Sequence, residues 1–226
     1  MVLAKLWPAC GQRLIKMIPA GQGVAAFKVI QMRVGPMANF VYLLVDAESR
    51  EALVVDSGWE TRPIVDAAKL ERAKVKYVVA THEHFDHTST VVELAESLGG
   101  EVVAHAKSPV THGISVEDGQ KLALGERHVK VLYTPGHTED SICLYDGADV
   151  FTGDTLFIGT IGRFDPSGAS SMFNSLYNVL LKLPEDTVVY PGHDYGDVPH
   201  RSIGEERTTN PFLRSKDLRT FLAVSD

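Results

Sequence analysis

The stretch THEHFDH, residues 81–87, directly follows the short apolar run Val75–Ala80. Such a run, bounded by polar residues, predicts a buried strand. If the chain stays extended beyond the strand, His82 and His84 point to the same side, because side chains alternate along extended backbone. Two imidazoles on one side form half of a metal site. The stretch therefore predicts metal ligands at the end of a strand.

Asp86 and His87 follow one short turn later and could face a second ion. Imidazole nitrogen together with carboxylate oxygen suits zinc, iron or manganese better than calcium. The zinc-protease helix motif HExxH does not fit, since it requires histidine where Asp86 stands. A solvated polar loop would explain one histidine, but clustered histidines repel one another when protonated and need a partner when buried.

Three later segments have the same form, a strand followed by a residue that can bind metal. They read VLYTPGH at 131–137, VFTGD at 150–154 and VVYPGH at 188–193. A glycine before each final residue lets the backbone come close to a metal without a clash from Cβ. Together the four segments supply five histidines and two aspartates, enough for two metal ions: His82, His84, Asp86, His87, His137, Asp154 and His193.

Strand-like and helix-like segments alternate through the chain. Strands are predicted at Phe27–Arg33, Asn39–Val45, Glu51–Asp56, Val75–Ala80, Glu101–Ala104, His128–Tyr133, Ser141–Tyr145, Val150–Thr152 and Thr187–Tyr190. Helices are predicted at Arg62–Ala73, Thr88–Leu98 and Ser170–Leu183, and through most of the tail from Ser202 onward. The mixture indicates an α/β protein with two sheets or sheet halves covered by helices. We expect one domain over residues 1–226, with residues 1–23 as an N-terminal extension.

Charge and composition disfavour a nucleic-acid-binding, membrane-spanning or disulfide-rich protein. The net charge of −7 disfavours nucleic acid as a partner. The longest apolar runs, such as Phe40–Val45, are far shorter than the roughly 20 residues of a membrane helix. The two cysteines, Cys10 and Cys143, are too few for a disulfide framework or a four-cysteine zinc site. We therefore expect a cytoplasmic protein that acts on a small molecule without nucleic acid or membrane partners; a homodimer stays open.

The ordered set of motifs resembles the metallo-β-lactamase superfamily of hydrolases. The set comprises THEHFDH, TPGHTEDS at 134–141, FTGD at 151–154 and YPGHDY at 190–195. The resemblance runs from about Val24 to the end of the chain and implies a four-layer αβ/βα sandwich with metals at one edge between two sheets. The segments GTIGRFD at 159–165 and EERTTNPFLR at 205–214 further resemble the glyoxalase II branch and its persulfide dioxygenase relatives.

The resemblance also implies which residues bind metal. His82, His84 and His137 would bind one ion, Asp86, His87 and His193 the other, and Asp154 would bridge them. Zinc is the first expectation for these two divalent transition-metal ions, with iron or manganese as alternatives. In the dioxygenase relatives, the positions of His82, His137 and Asp154 hold a single iron, a pattern that leaves coordination positions open for oxygen.

A hydrolase of this kind would attack a carbonyl with a hydroxide that bridges the two metals. Asp86 could orient that nucleophile as the catalytic residue as well as bind metal. Arg163 and Tyr195 are the candidate substrate-binding residues, one for an anionic carrier and one as a hydrogen-bond donor. Asp56 is expected to accept a hydrogen bond from a metal-bound histidine rather than to bind metal itself.

We expect hydrolysis of a thioester or related activated ester, as in glyoxalase II-like hydroxyacylglutathione hydrolases. Only 33 residues follow His193 (226 − 193), which is short for the helical region that binds glutathione in glyoxalase II. An iron-dependent dioxygenase acting on glutathione persulfide is the alternative, although Phe164 stands where that group has threonine and Pro-Gly-His replaces its Pro-Ala-His. A promiscuous lactonase or phosphodiesterase and a non-catalytic metal-binding protein also remain open.

Overall fold

A computed structural model describes residues 16–17, 27–215 and 217–225, and two mixed sheets form within these ranges. The first sheet has the spatial order β1 to β7. Its strands are β1 Lys16–Met17, β2 Lys28–Val34, β3 Asn39–Val45, β4 Glu51–Val55, β5 Lys74–Val79, β6 Glu101–His105 and β7 Ile114–Val116. Apart from β1, the predicted N-terminal extension lies outside the described residues.

The second sheet has the spatial order β13-β12-β11-β10-β9-β8. Its strands are β8 Lys121–Leu124, β9 Arg127–Tyr133, β10 Ile142–Tyr145, β11 Asp149–Gly153, β12 Val188–Pro191 and β13 Arg201–Ser202. In the first sheet, β2, β3 and β4 form the predicted antiparallel meander, and β4 to β7 pair in parallel. In the second, β11 and β12 pair in parallel and the other neighbours are antiparallel.

Three apolar clusters separate the layers of the fold. Tyr42 and Leu44 of β3 point into the cluster between the two sheets. Their neighbours Val41 and Leu43 point the other way, into the cluster beneath the first sheet's helices, because side chains alternate along a strand. A third cluster joins the second sheet to the C-terminal helices. The layers are therefore helix, sheet, sheet and helix, which confirms the predicted four-layer sandwich.

The helices flank the two sheets. They are α1 Arg62–Glu71, α2 Phe85–Thr88, α3 Val91–Leu98, α4 Ala169–Asn174, α5 Ile203–Thr209 and α6 Leu218–Ser225. The chain continues α4 through a π-helical turn, Ser175–Val179, and a 3₁₀ turn, Leu180–Lys182. None of the helices in these ranges is long and apolar enough to span a bilayer.

One predicted helix is wrong in its extent. The segment Thr88–Leu98 is not continuous, because the backbone N–H of Thr90 bonds to the carbonyl of Ser57 at 3.0 Å instead of continuing the helix. This contact separates the single turn α2 from α3. The short strands β7 and β8 were not predicted; their three and four residues give too little alternation to stand out from a loop.

Candidate metal centre

The predicted ligands lie where strands of both sheets end at one edge of the sandwich. The loop after β5 carries His82 and His84, and α2 carries Asp86 and His87. From the second sheet come His137 after β9, Asp154 after β11 and His193 after β12. The structure brings all seven together in two groups: His82, His84, His137 and Asp154 in one, and Asp86, His87 and His193 in the other.

In the first group, three imidazole rings meet nitrogen to nitrogen. His84 Nδ1 lies 3.0 Å from His82 Nε2 and 2.9 Å from His137 Nε2. His137 Nε2 also lies 3.5 Å from Asp154 Oδ2. The ligand atoms of the whole group lie within 4.8 Å of one another. Such convergence of nitrogen and oxygen donors suits one transition-metal ion.

In the second group, nitrogen and oxygen donor atoms converge in the same way. The Nε2 atoms of His87 and His193 lie 3.1 Å apart, and Asp86 Oδ2 lies 3.4 Å from the first and 3.3 Å from the second. His87 is almost wholly buried and sits in the single turn of α2, whose start at His84 turns the chain from one group to the other.

Asp154 connects the two groups. Its Oδ2 lies 3.5 Å from His137 of the first group and 3.4 Å from His193 of the second, while Oδ1 lies 3.3 Å from His87. Although the side chain is buried, Oδ1 makes no hydrogen bond with the described residues. A buried carboxylate oxygen without such a partner is costly unless a cation binds it. The residues present therefore fit two metal ions that share Asp154.

Several ligands are held from behind by a second polar group. Asp56 Oδ2 lies 2.9 Å from His87 Nδ1, as expected for a carboxylate that orients a ligand histidine. It also accepts a hydrogen bond from the hydroxyl of Thr81, whose oxygen lies 3.0 Å from His82 Nδ1. The backbone carbonyl of Arg163 lies 2.6 Å from His137 Nδ1. Each of these contacts leaves Nε2 to face the centre of its group.

The two remaining ligands of the second group are held by the β2–β3 hairpin. The Asn39 amide donates to Asp86 Oδ2 at 2.8 Å, and its own carbonyl oxygen accepts from the Trp59 indole at 2.8 Å. The backbone carbonyl of Met37 lies 2.9 Å from His193 Nδ1. Sequence analysis missed Asn39, since a single asparagine at a strand start carries no pattern that distinguishes it from a turn residue.

The two groups differ in charge in the absence of metal. Burial favours the neutral form of His82 and holds its pKa well below the usual value. Burial acts in the same direction on His137 and lowers its pKa. At His193 burial also opposes charge, but hydrogen bonds to Asp154 and Asp86 outweigh it and raise the pKa of this imidazole to about 10. The second group therefore holds a proton at neutral pH that a metal ion must displace.

The two candidate substrate residues lie beside the centre. The Tyr195 ring stacks on the His193 imidazole, with centroids 4.6 Å apart, and is half exposed. Burial and the nearby carboxylates of Asp154 and Asp86 raise the pKa of Tyr195, and the positive charge of Arg163 lowers it in part. Arg163 is exposed and its side chain makes no hydrogen bond or ion pair with the described residues. Within the part of the chain that the structure describes, the guanidinium is therefore unpaired, and its charge acts on Tyr195 beside the second ligand group.

A buried polar network behind this edge was not predicted as part of the site. Glu206 of α5 is 0 % exposed and accepts hydrogen bonds from the Gly159 N–H at 3.0 and 3.2 Å. Asn210, at the end of α5, donates to the Thr160 carbonyl at 3.0 Å. These bonds fix the turn that leads to Arg163. The EERTTN motif was visible in the sequence, but its partner turn lies about fifty positions away.

Comparison with known protein families agrees with this geometry. The family model described as the metallo-beta-lactamase superfamily matches residues 34–193. The chain belongs to the metallo-β-lactamase superfamily. This match spans all seven predicted ligands of the centre.

Similar members of the metallo-β-lactamase superfamily include two kinds of enzyme. A probable hydroxyacylglutathione hydrolase of Schizosaccharomyces pombe, SPCC13B11.03c, is 30% identical over 237 residues, covering 87% of this chain and 91% of that protein. Human mitochondrial persulfide dioxygenase ETHE1 is 35% identical over 182 residues, covering 77% of this chain and 71% of that protein. The crystal structure of ETHE1 from Myxococcus xanthus is 34% identical with a TM-score of 0.80, covering 88% of both chains. The chain is therefore similar both to hydrolases and to oxidoreductases of the superfamily.

Proposed function

We propose that this protein is a metal-dependent hydrolase that holds two divalent transition-metal ions and cleaves a thioester or a related activated ester. The observation that carries the proposal is the completeness of the second ligand group. Asp86, His87 and His193 converge within ligand distance. Each is also oriented by a further polar contact, from Asn39, from Asp56 and from the Met37 carbonyl. A single iron held by His82, His137 and Asp154 would leave these three oriented side chains without a metal to bind.

The chemistry of the donors supports zinc as the first choice for both ions, with iron or manganese as alternatives. When bound, such ions would supply an attacking water of lowered pKa and polarise the carbonyl. Asp86 would orient that water, a role supported by its carboxylate reaching the centre and by the hydrogen bond from Asn39 that fixes its direction. Arg163 would bind an anionic part of the substrate, and the Tyr195 hydroxyl would donate a hydrogen bond beside it.

The second candidate is an iron-dependent dioxygenase that acts on glutathione persulfide. It is supported by the similarity to the human persulfide dioxygenase and by the ETHE1 structure from Myxococcus xanthus. In this case His82, His137 and Asp154 would hold one iron. These residues fit that role as well, so the second ligand group is the feature that favours hydrolysis.

A paired assay on one metal-replete preparation tests the proposal. One arm measures thiol release from an acyl-glutathione, together with lactone and phosphodiester substrates. The other arm measures oxygen uptake with glutathione persulfide. We expect thiol release. Iron-dependent oxygen uptake without hydrolysis of any substrate would replace the first candidate with the second, whereas cleavage of lactones or phosphodiesters alone would discard the thioester.

Arg163→Ala tests the substrate contact. If the guanidinium binds an anionic carrier, the change should raise KM about tenfold or more for an acyl-glutathione and much less for a neutral ester, since a charge-assisted hydrogen bond contributes about 1.5–3 kcal/mol. Equal effects on both substrates would exclude this contact.

A further inference from the structure

A polar pocket of about 560 Å³ opens beside the first ligand group. His84 and His137 form part of its wall, so the pocket is continuous with the metal centre. Its other walls come from the ends of β6 and β9, from the turn before β10 and from the loop before α4. Arg163 and Tyr195 are not among its lining residues. The pocket is therefore separate from the position where Arg163 and Tyr195 would contact a substrate.

Among the described residues that line this pocket, Lys107 is the one lysine or arginine. Its ammonium lies 2.8 Å from Glu139 Oε1 and 5.5 Å from the centre of the Tyr133 ring. The ring is fixed in turn, because the Tyr133 hydroxyl donates to the Glu139 carbonyl at 2.8 Å and buried His105 stacks on the ring at 4.3 Å. The lysine side chain thus lies against a ring that is held in place by two other contacts, and it forms part of the pocket wall.

The ion pair of Lys107 with Glu139 is easily exchanged. The two side chains are 51% and 78% exposed, and pairs of this kind contribute at most about 1 kcal/mol because water screens them. A carboxylate in the pocket could replace Glu139 as the partner of Lys107. The carboxylates of Glu83 and Asp165 also line the pocket and repel additional negative charge. This balance suits a group with a single negative charge and disfavours a phosphate dianion.

We infer that this pocket binds the acyl part of the substrate and that Lys107 selects an acyl group carrying a carboxylate, such as the half-thioester of a dicarboxylic acid. The inference rests on the proposed hydrolase function for its choice of substrates. Lys107 acts here as a specificity-determining residue, and Glu139 competes with the substrate for its charge. Hydrocarbon acyl groups of the same length lack the partner that displaces Glu139.

Substitutions of Lys107 and of Glu139 should change KM for a carboxylate-bearing substrate in opposite directions. A purely structural ion pair would not show this difference. Succinyl and butyryl thioesters of one carrier thiol are compared on the metal-loaded protein, since their acyl chains have equal length. Lys107→Gln should raise KM for the succinyl substrate up to about fivefold, as expected for the loss of one solvent-exposed ion pair, with a much smaller effect for butyryl. Glu139→Gln should lower the succinyl KM about threefold, because it frees the ammonium. A structural ion pair would make both variants change in the same direction, and that result would overturn the inference.

The chain offers a matched control far from the pocket. Lys76 lies 3.0 Å from Glu51 and 5.5 Å from the Tyr77 ring centre, the same combination of carboxylate and aromatic ring. Lys76→Gln should leave the succinyl-to-butyryl ratio of kcat/KM unchanged. A change equal to that of Lys107→Gln would show a general charge effect and remove the assignment.

Binding without turnover separates this inference from the proposed function. Calorimetry compares succinamate and butyramide, which have similar size and differ in one charge, on the metal-loaded protein. Tighter binding of succinamate that is lost in Lys107→Gln, without hydrolysis of any thioester, would reject the hydrolase and keep the pocket assignment. Hydrolysis without a difference between the two acyl groups in either experiment would keep the hydrolase and reject the pocket assignment. Neither binding nor hydrolysis would reject both.

Discussion

Asp154 contacts ligands of both groups, whereas His193 belongs to the second group only. With two bound ions, Asp154→Asn should weaken both, because a neutral amide is a poorer ligand for each. His193→Ala should leave about one ion per chain, held by the first group. Elemental analysis of the purified variants measures both results. If His193→Ala binds as much metal as the unchanged protein, the second group does not hold an ion.

Metal binding to the second group should release protons at neutral pH. His193, with a pKa of about 10, is protonated there and must lose its proton to become a ligand. His137 has a lowered pKa and is already neutral. Apparent zinc affinity should therefore rise with pH up to about 10, and calorimetry in buffers of different ionisation enthalpy should detect the released proton. His193→Ala should reduce this release, whereas an unchanged release in the variant would assign the proton to His87, whose pKa is also raised because the nearby carboxylates of Asp154 and Asp56 outweigh its burial.

The same shifts set the pH range in which the metal-free protein is most stable. The raised pKa of His193 stabilises the fold fully below about 6.5 and less as pH rises toward 10, because the folded state binds the proton more tightly. Asp86 and Asp154 have lowered pKa values, so their contribution is present above about 3.8 and is lost in acid. Burial keeps His82 and His137 neutral in the folded protein, so protonation of these residues in the unfolded state lowers stability below about pH 6.5. The melting temperature of chelated protein should therefore be highest near pH 6.5. A melting temperature that increases steadily to pH 10 would contradict this.

At the scale of elements, helix α5 holds the turn beside the metal centre through Glu206. Glu206→Gln keeps the shape but weakens the bonds to the Gly159 N–H. It should lower the free energy of unfolding by about 1–3 kcal/mol. Because the same turn carries the Arg163 carbonyl to His137, metal affinity of the first group should also fall about tenfold.

Glu205 on the same helix is the control for this substitution. It caps α5 by accepting from the Ser202 N–H, faces solvent and makes no contact with the turn. Glu205→Gln preserves the capping box and should leave metal affinity unchanged. Denaturant unfolding and competition with a chelator measure the two effects. If Glu206→Gln lowers the free energy of unfolding but leaves metal affinity unchanged, Glu206 stabilises the fold and does not support the metal ligands.

The elements that could be predicted are those whose pattern is local. The buried alternation of β3 and the apolar run of β5 identify strands without knowledge of their neighbours. The break between α2 and α3 could not be predicted, because it depends on Ser57, which is thirty-three positions from Thr90. The support of the turn by Glu206 likewise depends on contacts between distant parts of the chain. The sequence thus predicts regular elements and misses the long-range polar bonds that modify them.

At the scale of the whole molecule, each ligand group draws on both sheets. His82 and His84 follow a strand of the first sheet, whereas His137 and Asp154 follow strands of the second. The convergence of these seven candidate ligands could be predicted because the motif residues stand at strand ends. Asn39 and Lys107 were not predicted, because the contacts that give each of them a role join segments far apart in the sequence.

Bound metal should therefore stabilise the contact between the two sheets. Ligands that bind only the folded state add about 4 kcal/mol when present at a thousand times their dissociation constant. Removal of metal by a chelator should lower the melting temperature, and readdition of zinc should restore it. Asp154→Asn should show a much smaller difference between loaded and chelated protein. Equal melting temperatures of loaded and chelated unchanged protein would contradict this role.

The two sheets are also consecutive in the chain, since β7 ends at Val116 and β8 begins at Lys121. A cut in this four-residue link would leave each sheet intact and would divide every ligand group between two polypeptides. Fragments produced separately would then complement one another most strongly when zinc is present, and neither alone would hold a complete set of donors. Because each ligand group combines residues of both sheets, the two fragments could serve as a split reporter whose reassembly depends on metal.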